Sequence, residues 1–480
     1  MRTVHAYVEP EPTAGQLRDY RFAWPSTPLS DDDRWSSTAC DNYFARVMPE
    51  SDEEFALDSQ WPAFFPASIC VISASDGHRT ALEREVGAAI VNRFPYVLAV
   101  SICRDALSGR HHPRHRFIDV LTSGGSAAIQ FLEPGPNLDA TLRVMAEVPE
   151  GASDRIERTG LSSREAITNS APVFDSAYLI YEATLVKPQR DFHSVPIYDE
   201  PWVDVGSHRV FFLEINAIAL RADIADGDSQ IRWRSLPAWR PTRPDPEPEI
   251  GAVVSAKGYQ KGYTPRYAFP SSTTTAFEYD EVIRGRAVKY LPPLAVDQVE
   301  VDNDRARWPC FYPSSAGLIT SWADDGTPAF MPCGSTNVVS RHPFTIAPCI
   351  TYVQINERYA RRRSLDVIRA SGRFGVGVPH ISKPVVDAVK YAGNVSLTQD
   401  PDKLRNSGLH LGTQSAYGPV LLESPIHYDC EVVDELMLGT HMMLLGEVRR
   451  ILVRSDVTPD NPLEWYPWAA VTSAGMPAPV

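Results

Sequence analysis

The chain repeats itself at long range. WPAFFPASICVISASDG begins at Trp61 and WPCFYPSSAGLITSWADDG begins at Trp308, a shift of 247 residues. Six of the fourteen pairs from 61/308 to 74/321 are identical, and Phe65 with Tyr312, Val71 with Leu318 and Ser73 with Thr320 are conservative. RFIDVLTSGG from Arg116 then matches RSLDVIRASG from Arg363, DRIERTGL from Asp154 matches DKLRNSGL from Asp402, and GSHRVFFLEI from Gly206 matches GTHMMLLGEV from Gly439. The last pair lies at a shift of 233, so the first copy carries extra residues, placed near Lys187 to Asp204. Tyr20 and Phe22 against Tyr267 and Phe269 extend the echo toward the start of each copy. A long fixed period of this kind implies two units of about 240 residues, each large enough to bury its own core.

Composition bounds the function. Hydrophobic residues make up 43% and charged residues 22%, the balance of a soluble globular protein. With 46 basic against 60 acidic residues the net charge is −14, which opposes binding to nucleic acid or to an anionic membrane. The seven cysteines (Cys40, Cys70, Cys103, Cys310, Cys333, Cys349, Cys430) never form CxxC and read as reduced, buried thiols. Cys430 sits among alternating apolar residues and reads as core. His111, His112 and His115 lie in a basic, proline-broken stretch without a second ligand group, so no metal site is expected. The start has no apolar signal region and no run approaches a membrane span, so a cytoplasmic protein is expected.

Prolines crowd WRPTRPDPEPEIG, which cannot join a sheet ladder and marks the junction. The expected division is a first unit over 1–238 with an N-terminal extension, a linker over 239–251 and a second unit over 252–480. Short β-branched runs recur: Ser68–Ser73, Tyr96–Ile102, Ala127–Phe131, Ala177–Val186 and Arg209–Ile218 in the first unit. Gly317–Thr320, Thr345–Ile355, Phe374–Val378, Ser424–Val433 and Met442–Val453 follow in the second. SLDVIRASG has helical spacing with Gly372 as its stop, and KPVVDAVKYAG has Pro384 at a first-turn position and ends at Gly393. Many short strands with a few short helices predict a mainly β fold, two barrels decorated with helices.

In the second unit the order of motifs resembles the flavin reductase-like FMN-binding split barrels, and within them the flavoredoxin-like branch. The series is PSSxxLIT at Pro313 to Thr320, GSTNVVSRHP at Gly334 to Pro343, RRSLDVIRASGRFGVGVP at Arg362 to Pro379, DKL…GL at Asp402 to Leu409, HYDCEV from His427 and GTHMMLLGEV from Gly439. The resemblance covers about 150 residues of the second unit well and a similar stretch of the first poorly. It implies two tandem split barrels forming an internal pseudo-dimer.

A flavin mononucleotide needs a phosphate cradle, polar groups along its ribityl chain and donors facing the pyrimidine edge of its ring. The resemblance assigns ring and ribityl contacts to the loop Gly334, Ser335, Thr336 and Asn337, with Ser340 following. It assigns the phosphate to Arg363 and Ser364 at a helix start, with Arg361, Arg362 and Lys403 as helpers. It places His441 near the reacting ring. The residues by themselves also suit a solvated turn, a surface charge cluster, a local Asp402–Lys403 contact and a packed histidine. The branch often has a cysteine before the glycine that is Gly393 here; this chain has Ala392.

In the first unit Gly87-Ala88-Ala89-Ile90 replaces Gly334-Ser335-Thr336-Asn337, and Phe117 replaces Ser364. One flavin per chain is therefore expected, bound by the second unit with the first as the facing wall. The resemblance implies an FMN-dependent oxidoreductase, FAD being the lesser candidate, with NAD(P)H as co-substrate and a small molecule, free flavin or a partner monooxygenase as electron acceptor. It leaves room for a homodimer of the fused chain. No GxGxxG strand-turn-helix is present, so a nicotinamide would bind over the flavin itself. A flavoenzyme with a dedicated organic substrate and a non-catalytic flavin or haem electron carrier remain the alternatives.

Overall fold

The computed structural model describes residues 3–4, 27–29, 32–39, 70–85, 87–92, 97–104, 115–132, 136–190, 196–198, 200–221, 250–255, 317–341, 343–351, 362–379, 383–438 and 441–456. The tryptophan-led passages at 61–69 and 308–316, the Tyr20/Tyr267 echo, residues 111–114 and most of the proline-rich junction lie outside the described residues.

The N-terminal region contributes β1 (Thr3–Val4), β2 (Thr27–Leu29) and β3 (Asp32–Ala39). The first repeat then runs β4 (Cys70–Ser75), β5 (Thr80–Glu85), β6 (Ala88–Asn92), β7 (Val97–Cys103), α1 (His115–Gly124), β8 (Ser126–Leu132), α2 (Pro136–Glu147), α3 (Arg155–Arg158), β9 (Ser163–Glu165), β10 (Pro172–Phe174) and β11 (Ala177–Leu185). Three short strands follow, β12 (Gln189–Arg190), β13 (Pro196–Tyr198) and β14 (Trp202–Val205), before the long β15 (His208–Arg221) and then β16 (Ile250–Ser255). The second repeat runs β17 (Gly317–Trp322), β18 (Pro328–Cys333), β19 (Thr336–Arg341), β20 (Phe344–Thr351), α4 (Arg363–Ser371), β21 (Arg373–Val378), α5 (Lys383–Asn394), α6 (Lys403–Ser407), β22 (Leu411–Ser415), β23 (Gly418–Leu421), β24 (Ile426–Leu438) and β25 (His441–Arg454).

The two sheets have one topology. The first is ordered β5-β4-β8-β11-β15-β7-β6 and the second β18-β17-β21-β24-β25-β20-β19, strand for strand. Duplication is thus visible in the hydrogen-bonded order as well as in the letters. The insertion inferred from the drop in shift is β12 to β14, which has no counterpart between β24 and β25. The fold is mainly β, in two curled half-barrel sheets.

Local chemistry explains the elements. Ile72, Ile129, Ile319 and Val376 are β-branched residues on strands buried on both faces. Gly372 ends α4 with φ of 67°, a left-handed cap that costs glycine nothing and an L side chain about 1 kcal/mol or more. Each sheet curls over one helix: Phe117, Val120 and Leu121 of α1 join Ile72, Ile129 and Phe211 in the first core. Leu365 and Ile368 of α4 join Ile319, Phe374 and Tyr428 in the second. The other face is covered in the same way, Val71 and Leu82 meeting Met145 and Ile156, and Leu318 and Phe330 meeting Val389 and Leu404. Cys430 is fully buried in the second core.

Two strands leave their own half. β3 pairs antiparallel with β25, Trp35 to Ala39 against Arg454 to Arg450. β16 pairs antiparallel with β15, Ile250 to Ser255 against Arg221 to Ala217. Each copy's long last strand is therefore edged by chain lying before the other copy's core. Residues 250 and 251, expected in the linker, belong to β16, and residues 27–39 of the N-terminal extension belong to the second sheet.

One buried ion pair anchors the first half. Arg155 donates to Glu83 at 2.6 Å, with the two side chains 4% and 2% exposed. Removing one partner strands the other charge in a dry setting, a loss of about 3–5 kcal/mol. Glu83→Ala is expected to lower the unfolding free energy by that amount, read as a lower urea midpoint with an unchanged slope of the transition.

Candidate functional site

The two halves meet where their end strands face each other. β19 packs against β6, β7 and β15. Ser101 Oγ donates to Val339 O at 2.8 Å, and Asn337 Nδ2 donates to Gly87 O at 3.2 Å, both within the buried interface. The GSTN segment is therefore a two-residue turn followed by strand: Gly334 and Ser335 turn, while Thr336 and Asn337 open β19. The expected loop over 334–343 is corrected to this strand. Polar residues are tolerated in it because the first half, rather than water, meets them.

Asn337 is the exposed nerve of this interface. It is 2% exposed, its amide nitrogen is used, and its Oδ1 is buried with no hydrogen-bond partner among the described residues. A buried carbonyl oxygen left unpaired costs about 1–3 kcal/mol, so the position is poised to accept a bond from a ligand N–H. Thr336 behaves differently: its hydroxyl donates to Cys333 O at 3.0 Å and serves the turn. Ser340 is fully buried.

The end of β20 gathers the other expected residues. Cys349 N–H donates to Ser335 O at 2.8 Å, fixing the turn. Two residues on, Thr351 Oγ1 lies 3.1 Å from His441 Nε2, with His441 7% exposed at the first position of β25. The Thr351 carbonyl receives the Arg362 N–H at 3.0 Å, which sets the start of α4. The turn, the histidine and the helix start are thus tied to two positions of one strand, Cys349 and Thr351. Cys333 and Cys349 are buried beside them, and burial pushes both thiols above the ordinary cysteine range. They are inert at neutral pH.

The basic residues divide. Arg362 donates to Gly393 O at 2.9 Å, closing α4 onto α5. Arg363 is about half exposed, with its guanidinium 3.6 Å from Asp366, and Ser364 beside it is 8% exposed. Asp325, held below the usual carboxylate range chiefly by hydrogen bonds from Thr327, lies within electrostatic reach of Arg363. Such a surface pair is weak and yields readily to a competing anion. Arg361 and the residues Gly439 and Thr440 before His441 lie outside the described residues.

Lys403 is the residue whose setting the sequence concealed. It is 4% exposed, and its ammonium lies 5.2 Å from the ring centre of Phe330. Burial pushes its pKa down to about 8, the Arg362 charge adds to the effect, and Asp400 opposes it. Asp400 is itself engaged by Tyr391, Asn406 and the Asp402 N–H. Among the described residues no ion pair reaches Lys403. A clue was present in the sequence, since the DRI/DKL repeat places Arg155 and Lys403 at the same position and only the first has an acidic partner.

Among the described residues no helix is long and apolar enough to cross a membrane, and no group of three or more His, Cys, Asp or Glu could hold a metal ion.

Residues 310–471 match the family model described as flavin reductase like domain. That match lies within the second half of the chain, and the first half repeats the second half's sheet order. Among solved structures the chain is similar to the flavoredoxin of Desulfovibrio vulgaris (Miyazaki F), with 21% identity, 33% of this chain and 80% of that one covered, and a TM-score of 0.27. It is similar to nitrilotriacetate monooxygenase component B from Bacillus cereus, with 16% identity, 35% and 81% covered, and a TM-score of 0.27. A third likeness is the NADH:FAD oxidoreductase of Streptomyces globisporus, with 16% identity, 36% and 84% covered, and a TM-score of 0.25. No curated protein matches the chain.

The Lys403 geometry makes a ligand-independent prediction. Its pKa in the folded protein, about 8, lies below the ordinary 10.5, so between those values the unfolded chain binds the extra proton and stability rises with pH. Denaturant titrations of wild type and Lys403→Met at pH 7, 9 and 10.5 should show the wild type gaining on the variant across that window. A constant difference would contradict the burial described here.

Proposed function

We propose that the second half binds a flavin mononucleotide at the seam between the halves and that the protein is a flavin-dependent oxidoreductase of the flavin reductase type. The observation that carries this is the unpartnered Asn337 Oδ1, buried between the halves at the end of the Gly334–Ser335 turn. It offers an acceptor for an N–H of a flavin ring, next to the Gly334–Ser335 turn. The family match over residues 310–471 supports the same reading.

On this reading Gly334, Ser335 and Asn337 hold the ring, and Thr336 and Ser340 shape the strand that carries them. Ser364 and the positive end of α4, with Arg363 and Lys403, balance the phosphate, and Arg361 belongs to the same basic stretch. Bound there, a flavin supplies hydride acceptance and two-electron transfer. The protein orients, excludes water and fixes charge. Thr351 holds the His441 ring through Nε2, so the imidazole has one orientation beside the site rather than a range of rotamers. NAD(P)H is the proposed electron source and free flavin or a partner oxygenase the proposed acceptor.

The purified protein reconstituted with flavin mononucleotide should show flavin absorption in the visible, and anaerobic NADH or NADPH should bleach it. Asn337→Ala should weaken flavin binding by roughly tenfold to a hundredfold, the worth of about 1–3 kcal/mol for one buried bond. Colour without bleaching by either nicotinamide would favour a dedicated organic substrate or an electron carrier. A protein that takes up no flavin would overturn the proposal.

A further inference from the structure

Each half places one buried cation at the equivalent point of its second layer: Arg155 in α3 and Lys403 in α6. Their surroundings differ in one respect that bears on ligands. In the first half the guanidinium is fully engaged, by Glu83 at 2.6 Å and by the carbonyls of Leu82, Met145 and Val148. The start of α1, the counterpart of α4, is met in the same way, its Phe117 N–H donating to Glu150 Oε1 at 2.8 Å. The chain's own carboxylates satisfy both positive features there.

The second half lacks both acids. Sheet register aligns Glu83, opposite Ile72, with Met331, opposite Ile319. The repeat shift of 248 aligns Glu150 with Thr398. Lys403 therefore sits at 4% exposure against Phe330 and near Arg362, with no ion pair among the described residues. A buried charge is tolerated when something of opposite sign completes it. The seam residues agree: Ser101 N–H donates to Gly87 O as Cys349 N–H donates to Ser335 O, and in that register the buried, apolar Ala88 and Ala89 stand where Thr336 and Asn337 stand in the other copy.

We infer that the chain takes one phosphate-monoester ligand, in the second half, because in the first half Glu83 and Glu150 have taken the place of the ligand's negative charge. The inference rests on reading the second half as a flavin mononucleotide site, and it deepens that reading by assigning Lys403 the counter-charge and the first half a self-liganded state.

The test compares flavin mononucleotide with riboflavin, which lacks the phosphate, and with inorganic phosphate. Titration of the full chain by fluorescence quenching should give one flavin mononucleotide per polypeptide. Lys403→Met should lower its affinity tenfold or more toward that of riboflavin, leave riboflavin binding unchanged, and abolish any rise in melting temperature with inorganic phosphate. Lys403→Arg should retain all three responses. In the Lys403→Met background, Glu83→Met with Glu150→Thr should bring back a concentration-dependent rise in melting temperature with inorganic phosphate. A stoichiometry of two, or a Lys403→Met protein that binds both flavins as the wild type does, would overturn the inference while leaving the flavin reading intact. Stabilisation by phosphate that depends on Lys403, with no uptake of either flavin, would remove the flavin reading and keep the anion site. A wild type that responds to none of the three probes would remove both.

Discussion

The antiparallel pairing of two long strands carries each half of this molecule. β24 runs beside β25 from Ile426–Val453 to Leu438–His441, and β11 beside β15 in the same place of the first sheet. Every other strand of the main sheets attaches directly or indirectly to that pair. The ladder fixes where β25 begins, and so where His441 stands relative to Thr351. It also lines up Asp429 with Arg450, whose guanidinium donates at 2.7 Å, and through Ser415 ties the β22–β23 hairpin onto the sheet. In the first half Glu182 does the corresponding job by accepting from the Ile167 and Thr168 N–H groups and the Thr168 hydroxyl. A buried carboxylate satisfied by several donors holds a hairpin far better than an exposed pair could.

Much of this was legible in the sequence. The repeat shift predicted two like units, and its fall from 247 to 233 located the inserted β12 to β14. The strand runs Phe374–Val378 and Met442–Val453 fell within one residue of β21 and β25, because β-branched runs bounded by glycine and turn residues leave few choices. Gly372 marked the end of α4 for the same kind of local reason. What escaped reading was what depends on the other half. TNVVSR looks like loop because its polar residues seem to need water, yet β19 is buried against β6 and β7. The exchanged strands β3 and β16 escaped because their partners lie in the opposite repeat. The burial of Lys403 could be glimpsed only through its repeat partner Arg155, since a lysine in a short polar helix is ordinarily solvated.

Duplication explains why the halves could diverge. A seam shared by two copies of one fold offers two equivalent places, and a fused chain need keep only one of them. The first copy has alanine where the second has Thr336 and Asn337, and meets its cation with glutamate. These changes favour packing over ligand binding. The second copy retains an unpaired amide oxygen and a buried ammonium, both unfavourable until something completes them.

The exchange of edge strands bears on how the chain comes to be folded. β3 is made early in synthesis, yet its partner strand in the second half is about 410 residues further along. Contacts of such separation form late and slowly, because loop closure must be completed before they contribute. Until β25 emerges, β3 has only the short β2 beside it and its other edge is open, the kind of segment that invites aggregation. The same arrangement means that neither half completes its sheet edge without the other, so assembly of the two is a step of folding rather than an event that follows it.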